Sequence, residues 1–168
     1  MDESELRLHR CCFTGHRPEK LRCGEAQAKI LLDSAIRQSV TDCYTTFITG
    51  MARGIDIWAG QTVLKQRALN SDIKLVAVSP YKGFEEKWPD EWKQQYSFLI
   101  RWADAVRYLF PAYSREVFQK RNDWMVNRSS LVIAFYNGEP GGTRNTLRYA
   151  KRQGVPVVNL YPDELMFQ

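Results

Sequence analysis

No apolar run in this sequence approaches the roughly 18 residues that a membrane-spanning helix requires. The stretch from Met1 to Arg10 is polar and charged, with no apolar core of the signal-peptide kind. Together these absences predict a cytoplasmic protein without a membrane partner. The four cysteines, Cys11, Cys12, Cys23 and Cys43, include no Cys-x-x-Cys pair, so neither a zinc site nor a dithiol redox motif is expected. Reduced thiols, no disulfide and no structural metal follow for a cytoplasmic chain. Internal repeats, low-complexity tracts and linker-like segments are also missing. The 168 residues therefore read as one domain with its core at about 11–160.

What is present is ordinary for a folded protein: 44% hydrophobic, 26% charged and 12% aromatic residues, which excludes intrinsic disorder. The formal net charge is +5. Such a surface attracts phosphate, whether on a nucleotide or along a nucleic acid. The basic residues are scattered rather than blocked, so the charge is equally consistent with a solvated, soluble surface.

Apolar strand-like runs alternate with helical periodicity. Strands are predicted at 11–14, 45–49, 74–78, 106–109, 131–135 and 155–160, the third ended by Pro80. Helices are predicted at 25–39, 56–69, 90–102, 116–127 and 143–153, the last capped by Gly154. Strands separated by helices imply crossover units. The fold class is thus α/β, a Rossmann-like three-layer α/β/α arrangement around a mostly parallel sheet. The runs at 11–14, 45–49 and 131–135 are apolar enough to be central, and the expected spatial order is four-three-two-one-five-six.

In an open parallel sheet, ligands bind beyond the carboxyl ends of the strands. Three loops there are rich in glycine and polar groups. The first is Thr14-Gly15-His16-Arg17-Pro18. Gly15 permits close approach of the backbone to a ligand, and Arg17 has the planar fork that suits phosphate. His16 lacks a carboxylate or nucleophile partner in sequence and suits hydrogen bonding better than acid–base catalysis. The second loop, Thr49-Gly50-Met51-Ala52-Arg53-Gly54-Ile55-Asp56, has two glycines bracketing a turn that can turn N–H groups toward an anion. Asp56 stands where a helix N-cap belongs, and also where a ribose contact would fit. The third, Asn137 to Asn145, offers Gly141, Gly142 and the Thr143 hydroxyl as a phosphate cradle at a helix start. None of the three is a Gly-x-Gly-x-x-Gly fingerprint or a P-loop. Tyr81, Phe84 and Trp88 follow the third strand, either to wall a base or to pack the loop onto the body.

Gly15-His16-Arg17, Gly50 to Asp56, Phe118-Gln119-Lys120-Arg121-Asn122 and Pro140-Gly141-Gly142-Thr143, in that order, resemble the SLOG superfamily, most closely its YpsA-like branch. They are also similar to the Rossmann core of the DNA-processing protein A family. The resemblance implies a nucleotide-derived ligand of the AMP, NAD or ADP-ribose type, contacted by Gly15, Arg17, Gly50, Arg53, Gly54, Gly141, Gly142 and Thr143. It places Arg121 and Asn122 at the start of a helix facing the same pocket, and implies pairing into a homodimer. The related cytokinin-activating phosphoribohydrolases carry Pro-Gly-Gly-x-Gly-Thr-x-x-Glu. Here the second-motif glycine is absent and Arg148 lies near the position of the glutamate. That departure argues against glycosidic cleavage, which needs a carboxylate beside the developing oxocarbenium ion.

The leading expectation is therefore a domain that binds or senses a small nucleotide derivative, with no catalytic residue assigned. A nucleotide N-glycosidase would need Asp56 or Glu139 in place of the missing glutamate. A single-stranded nucleic-acid binder is the third reading, resting on the basic charge and the DNA-processing resemblance.

Overall fold

The computed structural model describes residues 1–166, the side chains of Glu164 and Met166 excepted. The strands are β1 (Arg10–Gly15), β2 (Thr46–Thr49), β3 (Lys74–Tyr81), β4 (Ala105–Phe110), β5 (Leu131–Phe135) and β6 (Val157–Asn159). They form one six-stranded sheet in the order β4-β3-β2-β1-β5-β6, and every pairing is parallel. The helices are α1 (Glu3–Arg7), α2 (Glu25–Thr41), α3 (Ile55–Arg67), α4 (Asp90–Trp102), α5 (Val117–Asn127), α6 (Gly142–Arg152) and α7 (Asp163–Met166), with a 3-10 turn at Pro18–Lys20. None is long and apolar enough to cross a membrane.

The pleat sends alternate residues to opposite faces, and two cores result. On one face Cys11, Phe13, Phe47, Leu75, Ile133 and Phe135 pack with Leu32 and Ile36 of α2, Ile57 and Val63 of α3, and Leu99 of α4. On the other face Cys12, Ile48, Val78 and Val132 meet Met125 and Val126 of α5 and Ala150 of α6. Helices therefore cover both faces, and the expected three-layer architecture and strand order hold.

Three local differences from the sequence reading have clear causes. β3 runs through Pro80 instead of ending there. Its register with β4 passes from Ser79↔Tyr108 to Tyr81↔Phe110, and its pairing with β2 ends at Ala77, so the missing N–H removes no ladder bond. The N-terminal stretch forms α1, nucleated by a capping box: Asp2 Oδ1 accepts from Glu5 N while Asp2 N donates to Glu5 Oε2, both at 3.0 Å. β6 is shorter than the apolar run suggested, spanning only Val157–Asn159. The start of that run is used by the end of α6, where Gly154 N donates to Lys151 O and Val155 N to Ala150 O. Gly154, at φ +69°, supplies the left-handed residue of this Schellman ending. The same ending closes α2, where Cys43 N donates to Val40 O and Tyr44 N to Ser39 O. There the left-handed position is held by Cys43 at φ +72°.

The connections after β1 and β5 leave toward opposite faces, into α2 and α6 respectively. The two strands are neighbours, so a crevice opens between their carboxyl ends, the topological switch point at which open α/β sheets bind ligands.

Candidate functional site

A cleft of about 390 Å³ occupies this switch point, within the ~300–1,000 Å³ range of small-molecule sites. Its walls come from the loop after β1 (Thr14, Gly15, His16, Arg17, Lys20), the loop and helix after β2 (Ala52, Asp56), Phe84, α5 (Phe118, Arg121, Asn122) and the start of α6 (Gly141, Gly142, Thr143).

The first two loops interlock through glycines. A Cβ on Gly15 would stand 2.5 Å from Ile55, the first residue of α3. One on Gly54 would stand 2.9 Å from Pro18 and 3.1 Å from the carbonyl oxygen of His16, and Gly54 has φ +92°. Both positions therefore require glycine, for close approach in the first case and for approach and backbone conformation in the second. Between them Met51 is held at φ +65° with its side chain fully buried, a local strain of the kind found at ligand sites.

His16 is buried, and its Nε2 accepts a hydrogen bond from Asn137 N at 3.3 Å. That bond assigns the ring proton to Nδ1. Burial, and then the charge of Lys20, hold its pKa below the usual histidine range. His16 thus serves as a neutral hydrogen-bonding strut between the loops after β1 and β5. Asn137 completes the link by donating from Nδ2 to Lys20 O at 3.1 Å.

Asp56 does not cap its helix. Gly54 occupies the N-cap position of α3 and makes no side-chain cap bond, and Asp56 is the second residue of the helix, buried at the cleft floor. Its Oδ2 accepts from Ala52 N at 3.2 Å, whereas Oδ1 has no partner. Burial pushes the carboxyl up to about 6, against the opposing pull of Arg121 and the bond from Ala52.

Arg121 and Asn122 lie in the middle of α5 rather than at its start. Both are buried, and Arg121 donates from Nη1 to Gly50 O and from Nε to Asn122 Oδ1 at 3.0 Å. Its guanidinium carbon stands 5.8 Å from the centre of the Phe84 ring, a cation–π distance. Phe84 and Phe118 contact one another at 5.6 Å between ring centres. Of the three aromatics singled out in the sequence, Phe84 reaches the cleft; Tyr81 and Trp88 pack against Phe84 from behind.

Gly141 is the N-cap of α6, with no side-chain cap bond and no acidic residue in the first turn. The N–H groups of that turn face an end of positive dipole, and Lys20 lies beside it, its Nζ 3.8 Å from where a Gly141 Cβ would be. Arg17 and Lys20 are exposed, and neither is in an ion pair among the described residues.

Of the sequence candidates, the fold brings Gly15, His16, Arg17, Asp56, Arg121, Asn122, Gly141, Gly142 and Thr143 into one cleft. Gly50 lies just behind it as the acceptor for Arg121. Arg53 and Gly54 do not line it. The expected convergence of Arg53 with Arg17 is corrected: Arg53 Nη1 binds Glu19 Oε1 at 2.6 Å. Arg148 lies in a separate groove with Gln119, Asp123, Asn145 and Arg152. Lys20 escaped the sequence reading, while Ala52 and Phe118 lie in the motifs quoted there without being assigned to the site. Lys20 was visible as a cation three residues beyond Arg17.

Comparison with known proteins identifies the fold and the family. The chain is 31% identical over 131 residues to the SPbeta prophage-derived protein YoqJ of Bacillus subtilis, covering 70% of this chain and 77% of that protein. It is 28% identical over 104 residues to a UPF0398 protein of Bacillus cereus, covering 60% of this chain and 56% of that one. Among solved structures, DNA processing protein A from Streptococcus pneumoniae superposes with a TM-score of 0.63 at 18% identity, over 90% of this chain and 50% of that one. The Helicobacter pylori protein of the same name gives 0.62 at 16% identity, over 92% and 66%. These structures share the fold, and the chain spans only half to two thirds of their length. The family profile described as the YspA SLOG family matches residues 11–163, nearly the whole chain and every wall of the cleft, and the chain belongs to that family.

Proposed function

We propose that the cleft binds a small nucleotide-derived ligand, in the role of a binding or sensing domain. The observation that carries this reading is the meeting, at the sheet's switch point, of two unpaired cations, Arg17 and Lys20, with the uncapped start of α6. An anion there gains charge-assisted hydrogen bonds and the helix dipole together. Phe84 and Phe118 also line the cleft and offer apolar faces suited to a base. Thermal-shift titration with AMP, NAD and ADP-ribose tests the reading. At least one should stabilise the protein in a saturable way. Arg17→Ala should weaken that ligand by about 1–3 kcal/mol, the range for bonds to charged groups. No shift with any nucleotide overturns the proposal.

A second reading has two supports. The Helicobacter pylori structural neighbour binds single-stranded DNA, and the present chain carries a net charge of +5. A gel shift with a single-stranded oligonucleotide separates the two, since backbone-driven binding falls steeply with salt.

A further inference from the structure

The floor of the cleft asks something different of a ligand from its rim. The rim, with Arg17, Lys20 and the start of α6, favours an anion. At the floor stands Asp56, buried, with one oxygen unpartnered and the other accepting a single 3.2 Å bond. A carboxylate has about four acceptor sites, and leaving them empty away from water is unfavourable. The nearest cation does not fill them. No Arg121 nitrogen comes within the 4.0 Å of an ion pair with Asp56, because Arg121 is turned toward Gly50 O and Asn122. Both groups nevertheless press on one glycine: a Cβ on Gly50 would stand 2.9 Å from Asp56 Oδ2 and 3.1 Å from Arg121 Nε. The floor thus holds an acceptor and a donor, close together and not bonded to each other, and Arg121 Nη2 makes no hydrogen bond among the described residues.

The geometry points to a sugar hydroxyl at this position: Asp56 and the free edge of Arg121 bind a ribose-type hydroxyl of a phosphate ester whose phosphate sits at the rim. This rests on the nucleotide reading above and narrows it. A second phosphate at the floor would meet the Asp56 carboxylate. An exocyclic base amine donates but does not accept, and so satisfies Asp56 alone. A hydroxyl donates and accepts at one atom and satisfies both partners. The site should therefore discriminate in favour of free hydroxyls, selecting ribonucleotides and sugar phosphates over dideoxynucleotides.

The test is a calorimetric titration of the wild-type protein and of Asp56→Asn with AMP and with 2′,3′-dideoxyadenosine 5′-monophosphate. In the wild type, AMP should bind about ten-fold or more tightly than the dideoxy analogue, as the loss of a hydrogen bond to a charged group predicts. In Asp56→Asn the gap should shrink to a few-fold, through weaker AMP binding. Equal affinities in the wild type overturn the hydroxyl assignment and leave the nucleotide reading standing. Absence of binding by both overturns the hydroxyl assignment, and the nucleotide reading falls with it when NAD and ADP-ribose also fail to bind. The wild-type comparison changes only the ligand, so it decides the matter even if the variant folds poorly.

Discussion

Arg53 Nη1 lies 2.6 Å from Glu19 Oε1, and this pair ties the loop after β2 to the turn after β1 at the mouth of the cleft without entering it. The side chains keep 21% and 58% of their exposure, so the contact is worth no more than about 1 kcal/mol. Arg53→Ala should lower stability by that amount or less and leave nucleotide affinity within about two-fold. Arg17→Ala should do the opposite, with affinity lost and the melting temperature unchanged. Parallel titrations of the two variants check this, and an Arg53→Ala affinity loss equal to that of Arg17→Ala would contradict the geometry.

Asp56 should make the unliganded protein less stable above neutrality than in mild acid. Its carboxyl is pushed up from 3.8 to about 6, so the folded state holds the proton more tightly than the unfolded chain. Stability from this group is complete below pH 4 and is lost as the pH rises to about 6; the total is on the order of 2–3 kcal/mol. His16, held below the ordinary histidine range, titrates in the opposite sense nearby. The informative quantity is therefore the difference between wild type and Asp56→Asn. Urea unfolding from pH 4.5 to 7.5 should show the variant gaining relative to wild type as the pH rises, and a constant difference would refute the prediction.

Cys43 occupies the left-handed position that ends α2, at φ +72°. Glycine pays no steric penalty there, so Cys43→Gly should stabilise the fold by about 0.5–1 kcal/mol. Cys43→Val, β-branched at the same φ, should destabilise it. Denaturant midpoints of the two variants give the sign directly.

Incubation with AMP, NAD or ADP-ribose should release no base beyond a trace. Among the described residues Asp56 is the only carboxylate lining the cleft, and Arg148, near where the resemblance puts the hydrolase glutamate, faces a different groove. Glycosidic cleavage needs an acid and a carboxylate flanking one bond. Sustained turnover that vanished in Asp56→Asn or Glu139→Gln would establish an enzyme instead.

The sheet was readable because its central strands β1, β2 and β5 are apolar and buried and strand-like runs alternate with helical segments, which implies parallel crossovers. The glycine loops announced the cleft because ligand sites in such sheets lie at strand ends. The errors arose where a side chain's partner sits far away in sequence. Arg53 looks like a phosphate ligand until Glu19 is placed 34 residues upstream. Asp56 resembles a cap because aspartate prefers that position, yet α3 begins one residue earlier and the carboxylate is carried inward. Arg121 gives no local sign that it will reach across 71 residues to Gly50. Pro80 reads as a strand terminator because its harmlessness depends on where β2 stops.

The glycines of the three loops are held under unequal demands, and this sets how the family can diverge. Added atoms at Gly15 and Gly54 collide with neighbours at 2.5 Å and 2.9 Å, while Gly142 has nothing within 4 Å. Drift in related sequences is therefore free to write side chains at position 142 while positions 15 and 54 stay fixed. New ligand preferences should emerge from the mouth of α6, on a scaffold whose other two loops are locked against change.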